Sequence, residues 1–241
     1  MIAGTSETIT SVRWDAENEM PRPDVSNLIT EDDTPVDNQF SEKQMRLLTE
    51  SIHASWKPGF PFVAMANVGL FFALNAPPLV PDTLVSVGVG FPDEIRLKEH
   101  RAYFTWLYGK SPDIVIEIVS NRQGGELDRK MAGYAKMNVP YYAVYDPDLL
   151  IQTVPLQCFE LEHPGYKGAY RLMSSPLFER TELGLTEWDG AFEDMQGRWI
   201  RWVDKNGRLI PTGEERAKAA TKRNGVLEAK LRALGVDPDS V

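Results

Sequence analysis

A single cysteine, Cys158, occurs in 241 residues. One thiol excludes an internal disulfide framework and a cysteine-built zinc site, and with them the small secreted scaffolds. The three histidines, His53, His100 and His163, stand far apart, with no spacing that suits a zinc or haem centre. Positive charge is also short: 26 Lys and Arg face 35 Asp and Glu, a net charge of −9. That balance argues against coating nucleic acid by bulk charge. Long apolar runs are missing too. The most apolar stretch, residues 63–80, is broken by Asn67, Asn75 and Pro77-Pro78, and it falls short of the roughly 20 residues a membrane helix needs. The opening MIAGTSETITSVRWD has neither the basic start nor the apolar core of a signal peptide. The expected location is therefore the cytoplasm, with no membrane partner. No phosphate-binding loop is present, and Gly88-Val89-Gly90 is too short for a dinucleotide fingerprint.

What is present is an ordinary globular composition, 42% hydrophobic and 25% charged, with uneven charge. Residues 1–40 carry a net −7 and three prolines, with few apolar residues in any periodic arrangement, whereas the remaining 201 carry only −2. Residues 1–40 read as an acidic, extended or partly ordered arm.

Periodicity organises the rest. Phe40, Met45, Leu48 and Ile52 recur at helical spacing, with Ser41 placed to cap the helix and Gln44 at the capping-box position. Residues 62–89 read as strands around a Pro-Pro turn, and 91–111 as an inserted loop or short helix. DIVIEIVS, residues 113–120, is a strand rich in β-branched residues. Val115, Glu117 and Val119 share one face, and Ile114, Ile116 and Ile118 the other. Gly124-Gly125 precedes a helix, ELDRKMAGYAKM, which Pro140 ends before the strand YYAVY. A strand–helix–strand unit of this kind implies an α/β fold with a mixed sheet, placed at residues 41–190 with later strands near 156–162 and 169–174. Residues 191–212 read as a β-hairpin turning at Asn206-Gly207. Residues 213–235 read as a long helix, with Thr212 and Glu215 forming a capping box. Ala217, Ala220, Asn224, Leu227, Leu231 and Leu234 follow a 4-3 spacing. That stripe suits either packing on the same domain or a helix–helix contact in a homodimer.

The chemistry-bearing constellation is Asp82, Glu117 and Lys130. Asp82 follows Pro81 at the start of a strand, and Glu117 lies mid-strand among apolar residues. Burying such a carboxylate is costly unless it is protonated, paired or bound to metal. Two carboxylates on neighbouring strands form a hard oxygen site suited to Mg²⁺ or Mn²⁺. On spacing alone, a strand Glu such as Glu117 is more often an edge residue or a structural ion pair than a metal ligand, and a solvated helix position is the alternative for Lys130. Lys98, Arg101, Lys110, Arg122 and Arg129 are candidate phosphate contacts, although the excess in 96–130 is only +2. Cys158 alternates with apolar residues as a core residue does, and Ser120 lacks a base for a catalytic triad.

The ordered words Pro81-Asp82, Glu117-Ile118-Val119-Ser120, Asp128 with Lys130, Tyr134, Asn138-Val139-Pro140-Tyr141-Tyr142 and Asp146-Pro147 resemble the Uma-two family of restriction endonucleases, within the PD-(D/E)XK phosphodiesterase superfamily. The resemblance covers residues 40–241. It implies a restriction-endonuclease-like mixed sheet flanked by helices, and DNA as partner. It also implies Asp82 and Glu117 as ligands of Mg²⁺ or Mn²⁺, with the Ile118 carbonyl as a further ligand. The superfamily's lysine, two residues after the acid, is replaced here by Val119. Lys130 is the candidate for a lysine that has moved to the helix, and Asp128 is either its supporting acid or a first-turn charge favourable to the helix dipole. Relatives carry a polar residue on the first helix facing the site, for which Glu42, Gln44 and Glu50 are candidates. The expected function is metal-dependent hydrolysis of DNA phosphodiesters. The competing expectation is a catalytically inactive scaffold serving binding or assembly.

Overall fold

A computed structural model describes residues 24–26, 28, 38–162 and 168–238. Most of the acidic arm, and His163, lie outside the described residues. In chain order the elements are α1 (Gln39–Ser55), β1 (Phe62–Ala66), β2 (Leu70–Phe71), β3 (Thr83–Val87), β4 (Tyr103–Phe104), α2 (Thr105–Tyr108) and β5 (Ile114–Ile118). They continue with α3 (Met131–Lys136), β6 (Tyr141–Tyr145), β7 (Leu156–Glu162), β8 (Ala169–Leu172), β9 (Leu177–Phe178), β10 (Leu183–Phe192), β11 (Met195–Asp204) and α4 (Gly213–Ala233).

Six strands form a mixed sheet in the order β1-β3-β5-β6-β7-β8. Only the β5–β6 neighbours run parallel; the other pairs in this sheet are antiparallel. The central pair explains its own sequence: every residue of β5 and β6 is buried, so both read as near-continuous apolar runs. The two faces of β5 divide as its alternation predicts. Ile114, Ile116 and Ile118 join Met45, Leu48 and Ile52 of α1 and Leu185, Ile200 and Trp202 of the β10–β11 hairpin. Val115 and Val119 join Tyr134 and Met137 on the α3 side. The sheet thus lies between α1 with the hairpin and α3 with its flanking loops. Within the expected arm, Val25 is buried against Phe71, Ala102, Phe104 and Leu107.

Local details correct four expectations. Asn38, not Ser41, caps α1, its side chain accepting from the Ser41 N–H at 2.9 Å. Gln44 forms no capping box. It is buried, donating to the Ile200 carbonyl and accepting from the Ile200 N–H, both at 2.9 Å. The main hairpin lies upstream of the predicted turn, pairing Leu183–Asp204 through Phe192–Met195. It reverses at Glu193-Asp194, with left-handed φ of 46° and 63°. Side chains strain that conformation, and Lys43 and Arg46 of α1 both grip Glu193 there, at 2.5 and 2.8 Å. Asn206-Gly207 makes a smaller turn closed by a single Val203–Leu209 bridge. The fourth correction concerns residues 126–136. They are not one α-helix, because Glu126–Lys130 forms a π-type turn before α3.

The start of α4 is anchored. Thr212 and Glu215 form the predicted capping box. The buried Arg201 grips Glu215 through two bonds of 2.7 and 2.6 Å and lies 4.7 Å from the Trp188 ring centroid. Beyond this root, no residue of α4 is buried. Packing of the heptad stripe on its own domain is therefore not what the fold adopts.

Candidate active site

The β3–β5 register places Thr83 opposite Ile116, so Asp82, one residue earlier, faces Glu117 across the two strands. The Ile118 N–H donates to Asp82 Oδ2 at 2.6 Å, which holds that carboxylate at the end of β5. Glu117 is fully buried on the α3 side of the sheet.

The chain then returns over Glu117. Gly125, at φ +74°, starts the π-type turn, and the Lys130 N–H reaches back to the Gly125 carbonyl at 2.9 Å. Such wide turns recur at functional sites because they re-aim a side chain within a helix. Lys130 and Tyr134, four residues apart, project to the same point. Lys130 Nζ donates to Glu117 Oε2 at 2.8 Å, and the Tyr134 hydroxyl donates to Glu117 Oε1 at 2.5 Å. Lys130 Nζ also lies 3.5 Å from Glu126 Oε1.

Burial pushes the Glu117 carboxyl up to about 8, and the charge of Asp82 adds to this, against the pull of Lys130 and Tyr134. For Lys130, burial acts downward, but Glu117, Asp82 and Glu126 together hold the ammonium above its ordinary value. Burial and the Glu117 charge push the Tyr134 hydroxyl well up, so it stays a donor.

The three predicted site residues Asp82, Glu117 and Lys130 therefore converge. Two further members are Tyr134 and Glu126. Tyr134 was legible only as one word of the family pattern, with no role attached, because its hydroxyl bond to Glu117 is a tertiary contact. Glu126 is buried, with Oε2 lacking a hydrogen-bond partner, whereas Asp128, the acid expected nearby, is exposed. Glu126 stands four residues before Lys130 and shares its side of the turn, whereas Asp128, two residues on, faces solvent.

The first helix does not contribute. α1 packs on the opposite sheet face. Glu42 pairs with Arg46, Gln44 binds Ile200, and Glu50 accepts from the Gly213 N–H. Among the basic residues, Lys110 is committed to Asp113 at 2.5 Å and Lys98 to the Ser26 carbonyl. Arg122 and Arg129 are exposed on the segment between β5 and α3. Cys158 is buried and its thiol is pushed up to about 12 by desolvation, as suits a core residue.

The donor set fits a hard divalent cation. Two carboxylates face each other across adjacent strands, and the repulsion and burial that raise Glu117 are what a cation would offset. Among the described residues, no group of three or more His, Cys, Asp and Glu gathers into a metal cluster. The third protein donor expected there is the Ile118 carbonyl. No helix among the described residues is long and apolar enough to cross a membrane.

None of the curated proteins compared matches the chain. A solved structure described as "a putative nuclease belonging to DUF820", from Anabaena variabilis, is 17% identical. It aligns over 59% of this chain and 72% of its own, with a TM-score of 0.40, too slight a likeness to carry an argument. The family model described as "Uma2: Putative restriction endonuclease" matches residues 31–186, more than half of the sequence. The match includes Asp82, Glu117, Lys130 and Tyr134, and the chain belongs to the Uma2 family.

Proposed function

We propose that the protein is a divalent-metal-dependent endonuclease that hydrolyses DNA phosphodiester bonds and acts in the cytoplasm as a homodimer. The observation that carries this reading is the 2.8 Å contact of Lys130 with Glu117, which faces Asp82 across two strands. It returns an ammonium to a carboxylate pair from which Val119 removes the usual lysine.

Asp82, Glu117 and the Ile118 carbonyl would hold Mg²⁺ or Mn²⁺. When bound, such an ion polarises the phosphoryl oxygens and lowers the pKa of water. Tyr134 and Lys130 fix the Glu117 carboxylate by occupying one lone pair on each oxygen, leaving the others for a ligand. Asp82 is held by the Ile118 N–H. Lys130, at the boundary of this buried site, supplies positive charge where the phosphorus oxygens gain negative charge. Water adds to phosphorus, one P–O bond to sugar breaks, and the leaving oxygen takes up a proton. The exposed Arg122 and Arg129 are suited to flanking phosphates, positioning the backbone without reading bases.

The test is cleavage of supercoiled plasmid with Mg²⁺ or Mn²⁺. Nicking by the wild type that disappears in Asp82→Ala and Glu117→Ala supports the proposal. Cleavage that persists in Glu117→Ala overturns the site. A second reading, an inactive scaffold, is favoured by Val119 and by the small carboxylate set. It predicts no cleavage and no Mn²⁺ binding.

A further inference from the structure

Among the described residues, α4 presents a regular apolar stripe to solvent. Along α4, Leu227 is 47% and Leu234 79% exposed, and Ala217, Ala220 and Asn224 are exposed with them. With Leu231, these residues fall on alternating four- and three-residue steps. Ala217, Asn224 and Leu231 occupy heptad position a, and Ala220, Leu227 and Leu234 position d. An amphipathic stripe with this period presents a seam to a facing helix. The capping box, Arg201–Glu215 and Gly213–Glu50 fix the root of the helix to the body.

We infer that α4 pairs in parallel with the same helix of a second copy, forming a short two-stranded coiled coil. Charge selects both the occupant and the direction. Positions g hold Arg216, Arg223 and Lys230, all basic, while positions e hold Glu214, Thr221 and Glu228. In a parallel pair each g residue faces the partner's e residue five positions on. Arg223 then meets the partner's Glu228, and two-fold symmetry repeats the contact. An antiparallel pair sets g against g, confronting three cations with three cations. Glu228 already pairs with Arg232 along the same helix, both exposed, so it can take a second cation without reorganising the core. Asn224 points the same way. In a parallel, in-register pair it meets the partner's Asn224, where one amide donates to the other. A single seam asparagine specifies two strands and their register. This deepens the homodimer part of the proposed function and does not depend on the catalytic part.

The experiment is sedimentation equilibrium of the full chain, with thermal melting and circular dichroism as controls on the fold. The wild type is expected to be a dimer. The double variant Leu227→Glu/Leu231→Glu is expected to be a monomer whose body melts normally, because none of α4 is buried. Arg223→Glu should weaken the dimer by at least about tenfold, and adding Glu228→Arg should restore it. A monomeric wild type overturns the inference, as does a dimer indifferent to Leu227→Glu/Leu231→Glu. Strengthening by Arg223→Glu overturns the parallel direction. Plasmid cleavage reads the nuclease proposal separately, so either can fail alone.

Discussion

Lys130 Nζ lies 2.8 Å from Glu117 Oε2, although the two residues are 13 apart in sequence and belong to different elements. β5 delivers the carboxylate, and the π-type turn after Gly125 delivers the ammonium. On the proposed reading, this pairing lets Val119 be an ordinary core residue without stripping the site of its cation.

Removing that ammonium should affect turnover far more than folding. Lys130→Ala is expected to lower the rate of plasmid cleavage by about 10²–10³, the usual cost of losing one electrostatic stabiliser. Mn²⁺ should still bind, as measured by calorimetry. A rate within twofold of wild type would show Lys130 to be a structural partner only.

Tyr134 positions the carboxylate. Tyr134→Phe leaves Glu117 Oε1 without its 2.5 Å donor. The expected effect is a loss of about 10–100-fold in metal affinity, as for other outer hydrogen-bond partners of metal ligands. Unchanged affinity by Mn²⁺ titration would remove the positioning role.

The buried acid imposes a pH dependence. Glu117 titrates near 8 in the folded protein against an ordinary 4.5. The folded state therefore holds a proton that the unfolded chain releases across this window. The stability this proton provides is full below about pH 4.5 and is lost as pH rises through 8. With divalent ions chelated, the melting temperature of Glu117→Gln should gain on wild type as pH rises from 5 to 8. Parallel curves for the two proteins would contradict the assignment.

Arg201 should matter to the hairpin and the root of α4. Its guanidinium is buried against Trp188, yet its partner Glu215 has a side chain 40% exposed. In Arg201→Ala the freed carboxylate can be solvated, so lost packing and hydrogen bonds dominate, at about 1–3 kcal/mol. Denaturant unfolding measures this, and a loss below about 0.5 kcal/mol, ordinary for a surface change, would refute it.

Much of the fold was legible because period and chemistry agreed. The two faces of β5 follow from DIVIEIVS, and the α4 capping box from Thr212 and Glu215. The sequence also pointed to Asp82, Glu117 and Lys130. What was not legible depended on tertiary partners. Gln44 suits a capping box until the Ile200 backbone is placed beside it. Glu193-Asp194 is a poor hairpin turn by local preference until Lys43 and Arg46 hold it, and Asn206-Gly207 is the better local signal. Glu126, by contrast, was missed although it stands four residues before Lys130 and so shares its face on a helical period; Asp128, two residues on, faces away.

Mn²⁺ binding measured by calorimetry on the full chain tests the assigned site most directly. Wild type should bind Mn²⁺, and Asp82→Ala and Glu117→Ala should each lose that binding while remaining folded. Wild type that binds no Mn²⁺, or equal binding in Asp82→Ala, would contradict a metal centre between these two strands.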